Sequence, residues 1–237
     1  MADEGAALID VGGESTRPGA PSVTEEEELE RVIPVIEALQ RDVALPLSID
    51  TSKSVVAAAA LSAGVEFVND ISGLTFDTQM AEIVATSGAG LFVMHTRGKP
   101  DTMQQRTQYN DVVEEVIAAL RRSIANAETA GIPSDKIAID PGIGFGKDVS
   151  GNLELLRRIS ALTDLGRPIM LGTSRKSFIG KVLAQSNPDE RLAGTLATIA
   201  LGYAGGARLF RVHDVAAAHQ AAKVAHAVCC GTEWPAN

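Results

Sequence analysis

Cysteine and positive charge are scarce in this 237-residue chain, long apolar runs are missing, and each shortage removes a class of protein. Its two cysteines, Cys229 and Cys230, are adjacent near the C-terminus, which suits neither a disulfide framework nor the ligand spacing of a zinc site. Lys and Arg number 21 against 30 Asp and Glu, a net charge of −9, so broad attraction to nucleic acid or to an anionic membrane is excluded. Any anionic ligand has to be held by local cations. No segment approaches the about 18 consecutive apolar residues of a membrane span, and Met1-Ala2-Asp3-Glu4-Gly5 lacks the basic and apolar regions of a signal peptide. The expectation is a reducing, cytoplasmic setting with no membrane and no nucleic-acid partner. Low-complexity tracts, linkers and signs of a second domain are also missing, so residues 1–237 read as one domain.

What is present is an alternation. Seven apolar runs, Ala6 to Val11, Leu45 to Ile49, Val65 to Val68, Gly90 to Met94, Ile137 to Ile139, Pro168 to Leu171 and Arg208 to Val212, alternate with seven helical patterns. Such alternation means parallel strands with helical crossovers, and runs apolar along their whole length are covered on both faces. Thr24-Glu25-Glu26-Glu27 reads as a capping box before a helix that Pro34 should kink, its acidic run a solvated first turn. Asp111 caps a longer helix, and further helices are expected near 52–63, 78–86, 152–161, 189–204 and 215–228. His219 and His226 share a face of the last one without an acidic or Cys partner at ligand spacing, which makes them surface or interface residues rather than a metal pair.

The first polar residues past the runs are Gly12-Gly13-Glu14, Asp50, Asn69-Asp70, His95, Asp140, Thr173-Ser174 and His213. Every run delivers chemistry at its C-terminal end. In a (β/α)8 barrel that face carries the active site, whereas an open doubly wound sheet gathers ligands at one switch point. The fold class is therefore α/β, a TIM (β/α)8-type barrel with seven of its eight strands evident.

The stretch that organises the rest is Ile137-Ala138-Ile139-Asp140-Pro141-Gly142-Ile143-Gly144-Phe145-Gly146-Lys147. A strand delivers a carboxylate and opens into a glycine-rich loop ending in Lys147. A fixed carboxylate accepts parallel N–H bonds from a planar, amidine-like ring edge, and glycines let the backbone approach an anion or a flat ring. Neither a Walker loop nor a dinucleotide fingerprint fits the glycine spacing, and a ligand-free turn is the alternative for the loop alone. For Asp50 or Asn69 alone the alternative is a helix N-cap.

Asp10-Val11-Gly12-Gly13-Glu14-Ser15-Thr16-Arg17-Pro18-Gly19, Ser48-Ile49-Asp50-Thr51, Val68-Asn69-Asp70, the Asp140 to Lys147 loop, Ser174-Arg175-Lys176-Ser177 and Arg211-Val212-His213-Asp214 stand at successive run ends. In these motifs and their order the chain resembles dihydropteroate synthase over essentially its whole length. The resemblance implies condensation of 6-hydroxymethyl-7,8-dihydropterin pyrophosphate with p-aminobenzoate to 7,8-dihydropteroate and pyrophosphate. By position in the motifs, it implies a pterin site of Asp50, Asn69, Asp140 and Lys176, with Phe145 and Met94 as secondary contacts. Thr16, Arg17, Ser177, Arg211 and His213 then serve pyrophosphate and p-aminobenzoate, and Lys176, Arg211 and His213 are the catalytic set. It further implies Mg²⁺ as cofactor and a homodimer through the last helices. The family's opening strand and its Asn-Val-Thr-Pro-Asp-Ser-Phe-like loop, which carries the magnesium-ligating Asn, find no match here, so no metal ligand is assigned. A pterin-dependent methyltransferase barrel shares the Asp and Asn contacts but has no use for the pyrophosphate clamp. A non-catalytic pterin-binding remnant is the other alternative, and turnover separates it from the enzyme.

Overall fold

A computed structural model describes residues 1–231; the last six residues of the expected single domain, 232–237, lie outside the described residues. The apolar runs form seven short strands: β1 (Ile9–Gly12), β2 (Leu47–Asp50), β3 (Phe67–Asp70), β4 (Gly90–Met94), β5 (Ile137–Asp140), β6 (Ile169–Leu171) and β7 (Ala207–Phe210). All pair in parallel and in chain order within one sheet. The first three begin two or three residues later than their apolar runs because the leading residues have no ladder partner; Leu8 still packs against Phe92, Ala138 and Met170. The sheet is curled: Arg211, just past β7, donates to Asp10 of β1 at 2.5 Å and to Asp50 of β2 at 2.8 Å. This is the wall of a (β/α)8-type barrel, seven strands of it, with β1 and β7 at its ends.

The helices are α1 (Glu25–Asp42), α2 (Ser54–Ser62), α3 (Met80–Ser87), α4 (Val112–Thr129), α5 (Val149–Arg157), α6 (Ser177–Leu183), α7 (Leu192–Ala204) and α8 (Val215–Cys230). The sequence reading misses α6, whose seven residues are too few to show a helical period. Thr24 Oγ1 accepts from the Glu27 amide, but the Glu27 carboxylate turns to Arg31, so only half of the capping box forms. Helix α1 runs on through Pro34, and Glu28 of its acidic first turn is buried rather than solvated. Asp111 caps α4 as its sequence signals, accepting from Val113 and Glu114. His219 and His226 part company: His219 packs beside Gly5, while His226 Nδ1 lies 2.6 Å from Tyr203 Oη.

Strand residues alternate between two cores. Ile49, Val68, Leu91, Val93, Ile137, Ile139 and Leu171 belong to the large outer core under the helices, whereas Phe92, Ala138 and Met170 form a smaller inner layer with Leu8, Phe67 and Leu209. The inner layer is the floor of the site. On β7 the alternation is broken once. Ile169 pairs with Ala207, but Met170 pairs with Leu209, so Arg208 is an extra residue. Ala207 faces the outer core, and the bulge turns Leu209, two residues on, inward.

Candidate active site

One step above the inner layer, the same alternation points Asp10, Asp50, Asn69, Met94, Asp140 and Arg211 into the barrel. Gly172 takes the corresponding place on β6 and leaves a gap there. A Cβ at that position would sit 3.8 Å from both Asp140 Oδ2 and Lys176 Nζ and 3.9 Å from the Arg211 Cβ. The gap is therefore bordered by one carboxylate and two cations. Neither Asp50 nor Asn69 caps a helix; the N-caps of α2 and α3 are Lys53 and Gln79.

Asp10 is the hub of this layer. Its carboxylate accepts from Ser48 Oγ at 2.5 Å, Asn69 Nδ2 at 3.0 Å and Arg211 Nε at 2.5 Å. The Arg211 fork joins it to Asp50, which is 6% exposed. Asp50 Oδ1 is buried without a hydrogen-bond partner, an open acceptor aimed at nothing the protein supplies. Burial pushes Asp50 up to about 7, against the pull of Arg211. Arg211 itself is held above its ordinary range, because Asp50 and Asp10 outweigh its own burial. Asp140 is raised by burial, opposed by Lys176 and by the Gly142 amide, which donates to Oδ1 at 2.6 Å.

The glycine-rich loop is built from beneath. Gly142 has φ +68°, and a Cβ there would lie 1.9 Å from the His95 carbonyl oxygen, so only glycine fits. Lys147 does not reach outward as the loop's terminal cation suggests. It is 3% exposed, and its Nζ lies 2.8 Å from Gly142 O, 2.9 Å from Phe145 O and 2.9 Å from His95 Nδ1. Asn152 closes the loop from α5, accepting from the Gly144 amide at 2.6 Å. Above the loop Lys176 donates to the Ile143 carbonyl, with its Nζ 4.6 Å from the Phe145 ring centroid. Burial lowers Lys176 to about 8, with Asp140 opposing.

At the rim His213 lies with its Nδ1 2.9 Å from Ser174 Oγ, which also accepts from the His213 amide. Burial and then the charges of Arg175 and Arg211 hold this imidazole below its ordinary range. Ser177 opens α6, exposed and away from this contact, so it is Ser174 that meets His213. The charge of Arg17 also reaches His213; Arg17 and the half-buried Thr16 lie in the loop after β1.

Both stems of that loop are tied to one ammonium. Lys53 Nζ donates to Glu14 Oε2 and Glu28 Oε2, each at 2.5 Å, and to the Val23 carbonyl at 2.9 Å. Lys53→Met leaves Glu28, 1% exposed, without its cation, and the expected stability loss is about 3 kcal/mol in a urea titration. Amides 14–23 should exchange faster with deuterium, and unchanged exchange would show that Lys53 does not hold the loop.

Asp10, Ser174, His95 and Asn152 complete the arrangement without having been singled out as site residues. Asp10 had a signal, a carboxylate inside the apolar run Leu8-Ile9-Asp10-Val11. The magnesium implied by resemblance finds no protein cage. Among the described residues no group of three or more His, Cys, Asp or Glu could hold a metal ion, and the carboxylates that come together, Asp10 and Asp50, share Arg211.

A family model described as "Pterin binding enzyme" matches residues 1–213. The chain is 47% identical over 228 residues to the dihydropteroate synthase of Synechocystis sp., covering 96% of this chain and 79% of that protein. Among solved structures, dihydropteroate synthase from Clostridium difficile in the presence of pteroic acid superposes with a TM-score of 0.91 at 46% identity, over 96% of this chain and 84% of that one. The enzyme from Xanthomonas albilineans in complex with 7,8-dihydropteroate gives a TM-score of 0.87 at 42% identity, over 96% and 83%.

Proposed function

Because the chain belongs to the pterin-binding enzymes and, among them, to the dihydropteroate synthase family, we propose how its own residues divide the work of that condensation. The bond from the pterin methylene carbon to the ester oxygen breaks and one to the amine nitrogen of p-aminobenzoate forms; pyrophosphate departs and the amine gives up a proton. The observation that carries the assignment is the convergence of Asp50, Asn69 and Asp140 on one inward layer, with an unpartnered Asp50 oxygen and the gap at Gly172. Carboxylate acceptors at that depth suit the N–H edge of an aminopyrimidine ring.

Lys176 lies over the ring plane beside Phe145 and donates to the ring's carbonyl or to charge developing on the leaving group. Arg211 lets go of Asp10 and Asp50 as the pterin takes those acceptors, and its fork turns to the pyrophosphate with His213 as a second donor. Met94 contributes to the pocket wall. Thr16 and Arg17, on the loop tied down by Lys53, close over pyrophosphate and p-aminobenzoate, with Ser177 at the edge of that side. A step in which the C–O bond breaks ahead of amine attack needs fixed charges and exclusion of water more than a strong base, which fits a site without a nucleophile and base pair. Mg²⁺ would supply countercharge to the pyrophosphate; no residue among those described is assigned to hold it.

The cytoplasmic location is supported by the lack, among the described residues, of any helix long and apolar enough to cross a membrane. A homodimer through α7 and α8 is supported by three large apolar residues left in the open, Leu201 at 66%, Val224 at 64% and Val228 at 78% exposure.

The pH profile follows from two groups. Asp50 accepts ring N–H bonds as a carboxylate, above about 7, and Lys176 donates as an ammonium, below about 8. kcat/KM for the pterin substrate is expected to rise through the first value and fall through the second. Asp50→Asn removes the acid limb, and Lys176→Arg moves the alkaline limb upward; a wild-type limb retained in either variant belongs to some other group. The activity itself is tested by pyrophosphate release with pterin pyrophosphate and Mg²⁺. Release that requires p-aminobenzoate is expected, and none, or release indifferent to it, overturns the assignment.

A further inference from the structure

A cavity of about 430 Å³ lies on the outside of the barrel, between the segment leaving β4 and the facing side of α4. The pterin acceptors Asp50, Asn69 and Asp140 are not among its lining residues; Met94 is the one residue of the pterin pocket that borders both. Ala118 and Ala119 keep the α4 wall low, Arg97, Glu115 and Arg122 supply its charge, and His95 stands among hydroxyl and amide side chains from Ser72 to Asn126.

Two of these groups have nothing to bind. His95 is 6% exposed, and its Nδ1 faces the Lys147 Nζ at 2.9 Å. Burial pushes the Lys147 ammonium well below its ordinary range, with Asp140 opposing, but the carbonyls of Gly142, Phe145 and His95 ring Nζ as acceptors and hold it as the donor. Nδ1 then accepts, and the single ring proton sits on Nε2, which has no hydrogen-bond partner among the described residues. Burial and the charges of Lys147, Arg97 and Arg122 drive His95 down to about 2, so the ring is neutral at any working pH. The Arg122 guanidinium likewise has no ion-pair or hydrogen-bond partner among the described residues. Glu115 does not neutralise it, because its carboxylate is taken by Arg97 and by the Asn110 amide. Arg97 is itself occupied, stacked 3.6 Å over Tyr109 and donating to the Gln108 carbonyl.

The cavity thus carries one uncompensated positive charge and, on the otherwise buried His95 ring, an unpartnered N–H donor, on walls belonging to different elements. Donors that approach from two sides suit an ion with acceptor oxygens all round it better than a flat carboxylate. We propose that this cavity is a second binding site, for a small oxyanion of the phosphate class, held by the Arg122 guanidinium and His95 Nε2–H. Its occupant touches the pterin loop through one intermediary. His95 Nδ1 bears on Lys147, which holds the carbonyls of Gly142 and Phe145, so ion and pterin affinities are linked, and linked reciprocally.

This assignment uses neither pterin nor turnover, and its test stands apart from that of the synthase activity. Inorganic phosphate and pyrophosphate, which share the required chemistry, are titrated side by side into the full chain by calorimetry; the tighter one identifies the source. Because Arg211 and His213 also attract phosphate, Arg211→Ala protein is the reference. It is expected to keep one saturable site, and adding the exposed Arg122→Ala substitution should weaken that site at least about tenfold, the worth of a charged hydrogen bond. Arg122→Ala alone should leave condensation in phosphate-free buffer unchanged. Titrations of the Arg211→Ala protein that never saturate, or a site that Arg122→Ala does not weaken, overturn the assignment.

Discussion

Asp140→Asn is expected to lose about two orders of magnitude in pterin affinity while the protein unfolds at the same temperature or higher. The carboxylate spends Oδ1 on the Gly142 amide at 2.6 Å and keeps Oδ2 for the ligand. An amide in its place satisfies Gly142 with its oxygen and then presents NH₂ where the ring also presents N–H. Losing a charge-assisted bond and gaining a donor facing a donor costs about 3 kcal/mol, which is about a hundredfold. Stability moves the other way. Asp140 is 5% exposed with its pKa raised by burial, so its ionised form is unfavourable in the folded protein, and a neutral isostere removes that cost. Calorimetric titration of a pterin alongside thermal unfolding reads both signs at once. Unchanged affinity would remove Asp140 from the ring edge, and a large fall in Tm would make it a structural residue.

Arg211→Ala should lower kcat/KM by about 10³-fold, roughly 4 kcal/mol of lost stabilisation of the leaving pyrophosphate. The same substitution leaves Asp10 and Asp50 without the cation they share. Breaking a fully buried pair costs about 3–5 kcal/mol, but the Arg211 side chain is 44% exposed, so about half of that is the expected loss of stability. Adding Asp10→Asn separates the two effects: Tm should recover and turnover should not. Lys at this position should restore little, since Nε and Nη2 of one planar fork reach two different carboxylates and a point charge cannot. Recovery of turnover in the Asp10→Asn, Arg211→Ala double variant would mean that Arg211 acts only by balancing charge.

Residues that end an apolar run were legible from the sequence, because the period of two and the parallel topology together fix which way they face. That is why Asp50, Asn69 and Asp140 fall in one layer, whereas Arg211, inside its run, was named by its motif and joins them only through the bulge at Arg208. The length of α4 and its Asp111 cap were legible for the same local reason. What stayed hidden is long-range. Asp10 meets Ser48, Asn69 and Arg211 only because the sheet curls, and its partners lie 38, 59 and 201 residues away. Lys147 reads as a cation at the mouth of a loop, yet the loop's own carbonyls and His95, 52 residues earlier, draw it inside. Ser177 and Ser174 are equivalent on paper; the turn that places Arg175 at φ +58° sets Ser174 against His213 and leaves Ser177 to open a helix too short to announce itself.

The extra residue at Arg208 makes the cationic side of the barrel mouth depend on the parity of a count. From Ala207, which faces the helices, strict alternation would send Arg211 and His213 to the helices as well, and only one surplus residue returns them to the ligand side. Insertions and deletions within β7 are therefore tolerable in twos and ruinous singly. A comparison of strand lengths across relatives has a sharp criterion here: odd changes between Ala207 and Arg211 should be missing from every chain that keeps the Arg-x-His pair.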